Sequence, residues 1–205
     1  MKMGEPGVPE LNAYIEEVLK EGETLGFDGR VVSVGEGEGY AAIARKKNAK
    51  VNYQVDLIDE IWEDRPVLSE EPAFDLDVKY AGENVASKLA RIREEMKEAG
   101  TNVHVVSTID DICWTLNIRG NDIDFFPLVL SYGIITMDSF ELYIDERKLD
   151  DKLKAKLAKD GVNLHPYNDI YEDVKKFGSD VVAMIDPGKL NYALFNNIPE
   201  NVKTV

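Results

Sequence analysis

Residues 85–106, "VASKLARIREEMKEAGTNVHVV", impose the strongest constraint on the fold. Val85, Leu89, Ile92 and Met96 recur at spacings of 4, 3 and 4, so they share one stripe of an α-helix. Gly100 supplies a stop, and the "NVHVVST" that follows is rich in the β-branched residues of strands. A one-sided helix and a short strand each need a partner surface. Together they demand a sheet with helices packed on its faces.

The same alternation runs along the chain. Leu11, Tyr14, Ile15, Val18 and Leu19 share one face, which predicts a helix over 11–20 that Gly22 stops. "LGFDGRVVSV" then reads as a strand, "GEGEG" as a turn, 40–47 as a helix and "VNYQVD" as a strand. "DLIDEIWED" reads as a helix with Leu57, Ile58, Ile61 and Trp62 apolar. Pro66 and Pro72 in "RPVLSEEPAFDLD" break the pattern and predict a linker. After the strand at "NVHVVST" come a helix over 109–117 and paired strands at "LVLSYGIITM" and "SFELYID", turning at Asp138 and Ser139. A helix over 148–159 buries Leu149, Leu153 and Leu157, and "VNLHPY", a helix over 169–177 and "VVAMID" complete the series. The fold class is therefore α/β, with a mixed β-sheet flanked by helices, because the adjacent strands at 128–145 do not fit an all-parallel sheet. The element order of 11–56 recurs in 148–186, the pattern of two related α/β units in tandem.

With 44% hydrophobic and 31% charged residues, the chain can build a core. A net charge of −15 argues against nucleic acid and against anionic membranes as partners, since both need clustered Lys and Arg. "MKMGEPGVPE" has no apolar h-region, and no segment reaches the roughly 18 apolar residues of a membrane span. The single cysteine, Cys113, excludes an internal disulfide and a multi-cysteine zinc site. Its neighbours Ile112 and Trp114 predict burial.

Chemistry-bearing motifs are scarce. "VGEGEGY" lies between a predicted strand and a helix, yet the third glycine of a dinucleotide fingerprint is replaced by Tyr40, and Glu36 and Glu38 would repel a pyrophosphate. His104 and His165 lack metal-ligand spacing and read as structural. Asp110 and Asp111 point about 100° apart on a helix, so they read as first-turn acids facing its dipole, with Ser107 or Thr108 as N-cap. Asn121, Asp122 and Asp124 lack the glycine turn and bidentate Glu of a calcium loop. Ile112, Cys113, Trp114 and Leu116 are candidates for the interior, and Gly120 for the positive φ of the helix C-cap.

Three runs in this order carry a family resemblance: "DLIDEIWEDRP" (56–66), "YAGENVASKLARIREEM" (80–96) and "TIDDICWTLNIRGNDIDFFPLVLSYGIIT" (108–136). They resemble the cytosolic aminopeptidase P family, the Xaa-Pro aminopeptidases of the creatinase and pita-bread metallopeptidase group. "MKMGEPGVPELNAYIEEVL" resembles the family's first domain shortly before its end. The resemblance implies two N-terminal domains of creatinase/prolidase type, ribonuclease H-like in fold. Residues 1–65 would be the C-terminal part of the first, 66–72 a linker and 73–205 the whole of the second.

It also implies what is missing. The family's two divalent metal ions, with manganese expected, are held by two aspartates, a histidine and two glutamates of a third, catalytic domain. No position here matches a ligand, so no cofactor, metal ligand or catalytic residue is assigned to this chain. "FDGRVV" (27–32) shares letters with the family's substrate-contacting Asp-Gly-Arg-Tyr but lacks the Tyr and lies too late. The parent would remove the N-terminal residue of a peptide whose second residue is proline. This chain would be inactive alone, serving as scaffold, cleft wall and possible oligomer contact. Expected partners are its own catalytic domain, a second subunit in a homodimer and a proline-containing peptide, all in the cytoplasm. Arg119, Asp122 and Asp124 are the substrate-cleft candidates, against the plainer alternative that Arg119 pairs with Asp122 or Asp124 within its own loop. The rival function is a stand-alone acidic protein-binding module of the same fold.

Overall fold

A computed structural model describes residues 4–205, which form two compact units. One comprises the chain up to Arg65 together with Pro187–Phe195. The other comprises Pro66–Asp186 and Asn196–Val205.

In the first unit, α1 (Leu11–Val18) precedes β1 (Thr24–Gly26), α2 (Val34–Lys46) and β2 (Lys50–Asn52). β1 and β2 pair in parallel, with Leu25 opposite Val51, so α2 is the crossover of a βαβ unit. The glycine run predicted as a turn lies inside α2. Ser33 explains the difference: its Oγ accepts from the Glu36 N–H while the Glu36 carboxylate accepts from the Ser33 N–H. This capping box starts the helix six residues earlier than apolar periodicity alone locates it. Gly37 is required for a second reason. A Cβ there would overlap the ring of Tyr192, which packs edge-on against Tyr53 and beside Phe27. The predicted strand at 25–34 shrinks to β1, and the predicted helix at 56–64 is a series of turns. Leu57, Ile58, Ile61 and Trp62 are exposed there, so no packing surface rewards a helix.

The second unit begins with β3 (Phe74–Asp75), α3 (Val78–Ala81), α4 (Val85–Glu98), β4 (Val103–Val106), α5 (Ile109–Leu116) and β5 (Ile118–Arg119). It continues with β6 (Ser131–Thr136), β7 (Phe140–Ile144), α6 (Asp151–Lys159), β8 (Val162–His165), α7 (Ile170–Asp173), β9 (Val182–Met184) and β10 (Lys203–Thr204). Six strands form a mixed sheet in the order β10-β9-β4-β6-β7-β8. β4/β6 and β6/β7 are antiparallel and the other pairs parallel. β6 and β7 turn at Asp138 and Ser139, where Thr136 Oγ1 accepts from both backbone N–H groups. β3 and β5 form a separate antiparallel pair.

The core joins α4 (Val85, Leu89, Met96), α5 (Ile112, Cys113, Leu116) and α6 (Leu153, Leu157) to sheet residues Ile135, Phe140, Leu142 and Ile144. The helical stripe over 85–96 is the face that the sheet buries. Burial of Cys113 pushes its thiol pKa up, which suits packing rather than nucleophilic work. Trp114 departs from expectation. It is 41% exposed, because α5 turns Ile112, Cys113 and Leu116 inward and leaves the indole on the outer side.

Candidate functional site

The site is built outward from α5. Asp110 and Asp111 occupy its first turn, as the dipole argument requires. Thr108 is the N-cap, but its hydroxyl donates to the Asp111 carboxylate and makes no cap bond to the backbone. The C-cap is Asn117, with φ 52, and Gly120 has no positive φ. Gly120 is needed instead because a Cβ there would lie 2.5 Å from Val129 Cγ2.

Asn117 is also a joint. Lys88 Nζ donates to Asn117 Oδ1 at 2.7 Å and to the Trp114 carbonyl at 2.6 Å, and Asn117 Nδ2 donates to the Glu83 carbonyl at 2.8 Å. The Lys88 ammonium sits 4.3 Å from the centre of the Trp114 ring, and burial pushes its pKa down. Arg91 lies 5.7 Å from the same ring and pairs with Glu83, which its hydrogen bond holds near a pKa of about 2. The Trp-x-x-Asn spacing therefore fastens the end of α5 to the start of α4. Lys88 escaped sequence reading, although its position three residues after Val85 put a lysine on an apolar helix face.

Arg119 pairs with neither Asp122 nor Asp124. Its Nη1 donates to the carbonyls of Cys113 and Ile118, at 2.7 and 2.8 Å. Nη2 and Nε donate to no described residue, which leaves part of a rigid cation available to a ligand. The Asp122 side chain is only 1% exposed. Its Oδ2 accepts from the Lys148 ammonium at 2.5 Å and from the Leu130 N–H at 2.7 Å, while Oδ1 is buried without a partner among the described residues. The Asp122 carboxylate thus roots the loop, and Lys148, unnoticed in the sequence, is its counter-ion. Asp124 is exposed and makes no ion pair among the described residues.

Past the carboxyl ends of the parallel strands β7 and β8 lies a cleft of about 550 Å³, lined by Leu130, Ile144, Pro166 and Tyr167 with Arg147 and Lys148. Such a position commonly holds ligands in α/β sheets. Both cations are already engaged, Lys148 by Asp122 and Arg147 by Glu70 and Asp145 at 2.6 and 2.5 Å. The cleft therefore offers mainly apolar surface.

The histidines are held structurally. His104 Nδ1 donates to the Met184 carbonyl at 3.1 Å. His165 Nε2 lies 2.6 Å from Glu141 Oε2, its ring stacked on Tyr143, whose hydroxyl donates to Asp173. Burial pushes the Glu141 carboxyl pKa up, but hydrogen bonds from Ser139, His165 and Asn163 outweigh it and leave the pKa below the ordinary value. The Ser139 hydroxyl donates to Glu141, so it is not set for His165 to deprotonate. Among the described residues no group of three or more His, Cys, Asp or Glu could hold a metal ion. No described helix is long and apolar enough to cross a membrane.

Comparison with known proteins points one way. A family model described as the Creatinase/Prolidase N-terminal domain matches residues 64–205. Aminopeptidase P2 of Arabidopsis thaliana is 35% identical over 200 residues, covering 96% of this chain and 28% of that protein. Xaa-Pro aminopeptidase app-1 of Caenorhabditis elegans is 32% identical over 209 residues, covering 98% of this chain and 34% of that protein. The crystal structure of the X-prolyl aminopeptidase from Caenorhabditis elegans, described as a cytosolic enzyme with a di-nuclear active site, superposes with a TM-score of 0.91 at 30% identity. It covers 100% of this chain and 34% of that one. The chain spans about a third of the length of the relatives it matches.

Proposed function

Given that this chain belongs to the Creatinase/Prolidase N-terminal domain family, we propose that it is the non-catalytic N-terminal region of a metal-dependent Xaa-Pro aminopeptidase. It serves there as scaffold and as one wall of the substrate cleft. The observation that carries this reading is the match of nearly the whole chain to about a third of enzymes that bear that name. The active site of one such relative is described as di-nuclear, and no group of described residues here suits a metal ion. In this reading the metals, with manganese as the expected pair, belong to the catalytic polypeptide, where they would supply Lewis-acid chemistry for peptide hydrolysis. The residues of this chain bind and orient.

Arg119, whose Nη2 and Nε donate to no described residue, would meet a substrate or a catalytic-domain carboxylate, and exposed Asp124 lies on the same loop. The enzyme is cytoplasmic in this reading, the nematode relative being described as cytosolic, and a homodimer is part of the proposal. The test compares the 205-residue chain with the longer polypeptide containing it, on a peptide with proline second and with manganese present. The short chain should release no amino acid, and the long one should release it until a chelator is added. Turnover by the short chain, or none by the long one, would refute the reading. In the long polypeptide Arg119→Ala should raise KM by roughly tenfold, the loss of one charge-assisted contact worth about 1.4 kcal/mol, and an unchanged KM removes Arg119 from the cleft.

A further inference from the structure

The loop that Asp122 roots ends in an unusual way. Phe125 is fully exposed at 102%, Phe126 is exposed beside it, and Ile123 reaches the surface. Phe125 also has φ 69, a left-handed backbone that glycine or asparagine adopts at lower cost. A turn alone does not require an aromatic side chain there. The tip is nonetheless rigidly built. The Phe126 N–H donates to the Ile123 carbonyl at 3.1 Å, the Leu128 N–H to the Phe126 carbonyl at 2.8 Å, and the Asp122 N–H to the Leu128 carbonyl at 3.2 Å. Below it the Lys148/Asp122 ion pair and the close packing of Gly120 on Val129 fix the root. A preorganised pair of aromatic side chains loses little conformational freedom on docking, which is how interface hot spots are made.

We propose that the turn 123–126 is a docking finger whose two phenylalanines seat in an apolar socket edged by basic side chains, on the catalytic portion of the longer polypeptide. This rests on the function proposed above. Two observations select that occupant. Asp124 stands exposed between Ile123 and Phe125 with no ion pair among the described residues, so the socket needs a cationic edge. Turn-to-turn pairing of two copies would set Asp124 against Asp124 with no cationic edge, so a homodimer contact belongs elsewhere. The polypeptide of the nematode relative continues for about two thirds of its length outside the matched region, ample to provide the socket.

Hydrogen exchange on the 205-residue chain and on the longer polypeptide tests the proposal. The amides of 123–128 should exchange at least about tenfold more slowly in the longer protein. F125G/F126S, which keeps the left-handed turn, should abolish that difference without lowering the melting temperature of the short chain. D124R, a change at an exposed position, should weaken the protection by charge repulsion. Equal exchange in the two proteins, in an active enzyme, overturns the docking finger and leaves the proposed function standing. A protected turn in a longer polypeptide without peptidase activity overturns the function and leaves the finger. Protection that rises with the concentration of the short chain shows a second copy to be the occupant and overturns the assignment, as does protection that survives D124R.

Discussion

Removing the Lys148 ammonium is the sharpest test of how the candidate loop is held. In the folded chain the side chains of Lys148 and Asp122 are 3% and 1% exposed, Nζ and Oδ2 2.5 Å apart. Asp122 Oδ1 has no partner among the described residues, so Lys148→Met would leave the carboxylate with only the Leu130 N–H as a donor there. Breaking a buried pair from one side costs about 3–5 kcal/mol, because the remaining charge keeps its desolvation penalty. The second unit has about 130 residues, for which each kcal/mol lowers the melting temperature by roughly 3–5 °C, so the expected fall is roughly 10–20 °C. K148M/D122L removes both charges and should recover most of that loss, leaving a coupling energy of several kcal/mol across the double-mutant cycle. Urea unfolding followed by circular dichroism on the four proteins gives the cycle. A loss below about 1 kcal/mol in K148M would mean that water reaches Asp122, as in surface pairs. The Lys148/Asp122 pair would then not be what roots the loop.

In the first unit, Gly37→Ala should destabilise by about 1–3 kcal/mol by driving a methyl group into the Tyr192 ring. Gly35→Ala, whose Cβ would meet only the Pro187 carbonyl at 3.5 Å, should be neutral or stabilising by up to about 1 kcal/mol. Hydrogen exchange across 34–46 separates the two, and equal effects would contradict the packing described for α2. Acid should loosen the start of α4, because the Glu83 carboxylate, bonded to Arg91 and Ser87, has a pKa of about 2 against an ordinary 4.5. A depressed carboxylate contributes stability that is full above pH 4.5 and is lost as pH falls toward about 2. Glu83→Gln should therefore flatten the pH dependence of unfolding across that window, and an unchanged slope would show that the pairing is not maintained in solution.

Elements that bury one face were legible as strings of residues. The stripe at Val85, Leu89, Ile92 and Met96 and the hairpin at 131–144 lie as read, because helical and strand periodicities are local properties that burial only confirms. The segment 56–64 has apolar residues at helical spacing and still forms turns, since periodicity predicts a helix only where a surface receives it. The start of α2 was misplaced for the opposite reason: a capping box and the Tyr192 ring outweigh the poor helix propensity of three glycines. Of the candidate site, Arg119 and Asp124 could be picked out by residue type. The burial of Asp122 could not, because its partner Lys148 stands 26 residues away.

Linear order settled the alternation of helices and strands, the scarcity of local catalytic motifs and the kinship with a family of peptidases. Those depend on neighbours within a few turns or on residue types alone. Which carboxylate is spent on an internal ion pair, which indole faces water and which aromatic pair crowns a rigid loop depend on contacts between distant segments. Only packing in three dimensions fixes those contacts, since the desolvation that makes a charge costly or an aromatic side chain adhesive exists only once the surrounding chain has closed over it or left it bare.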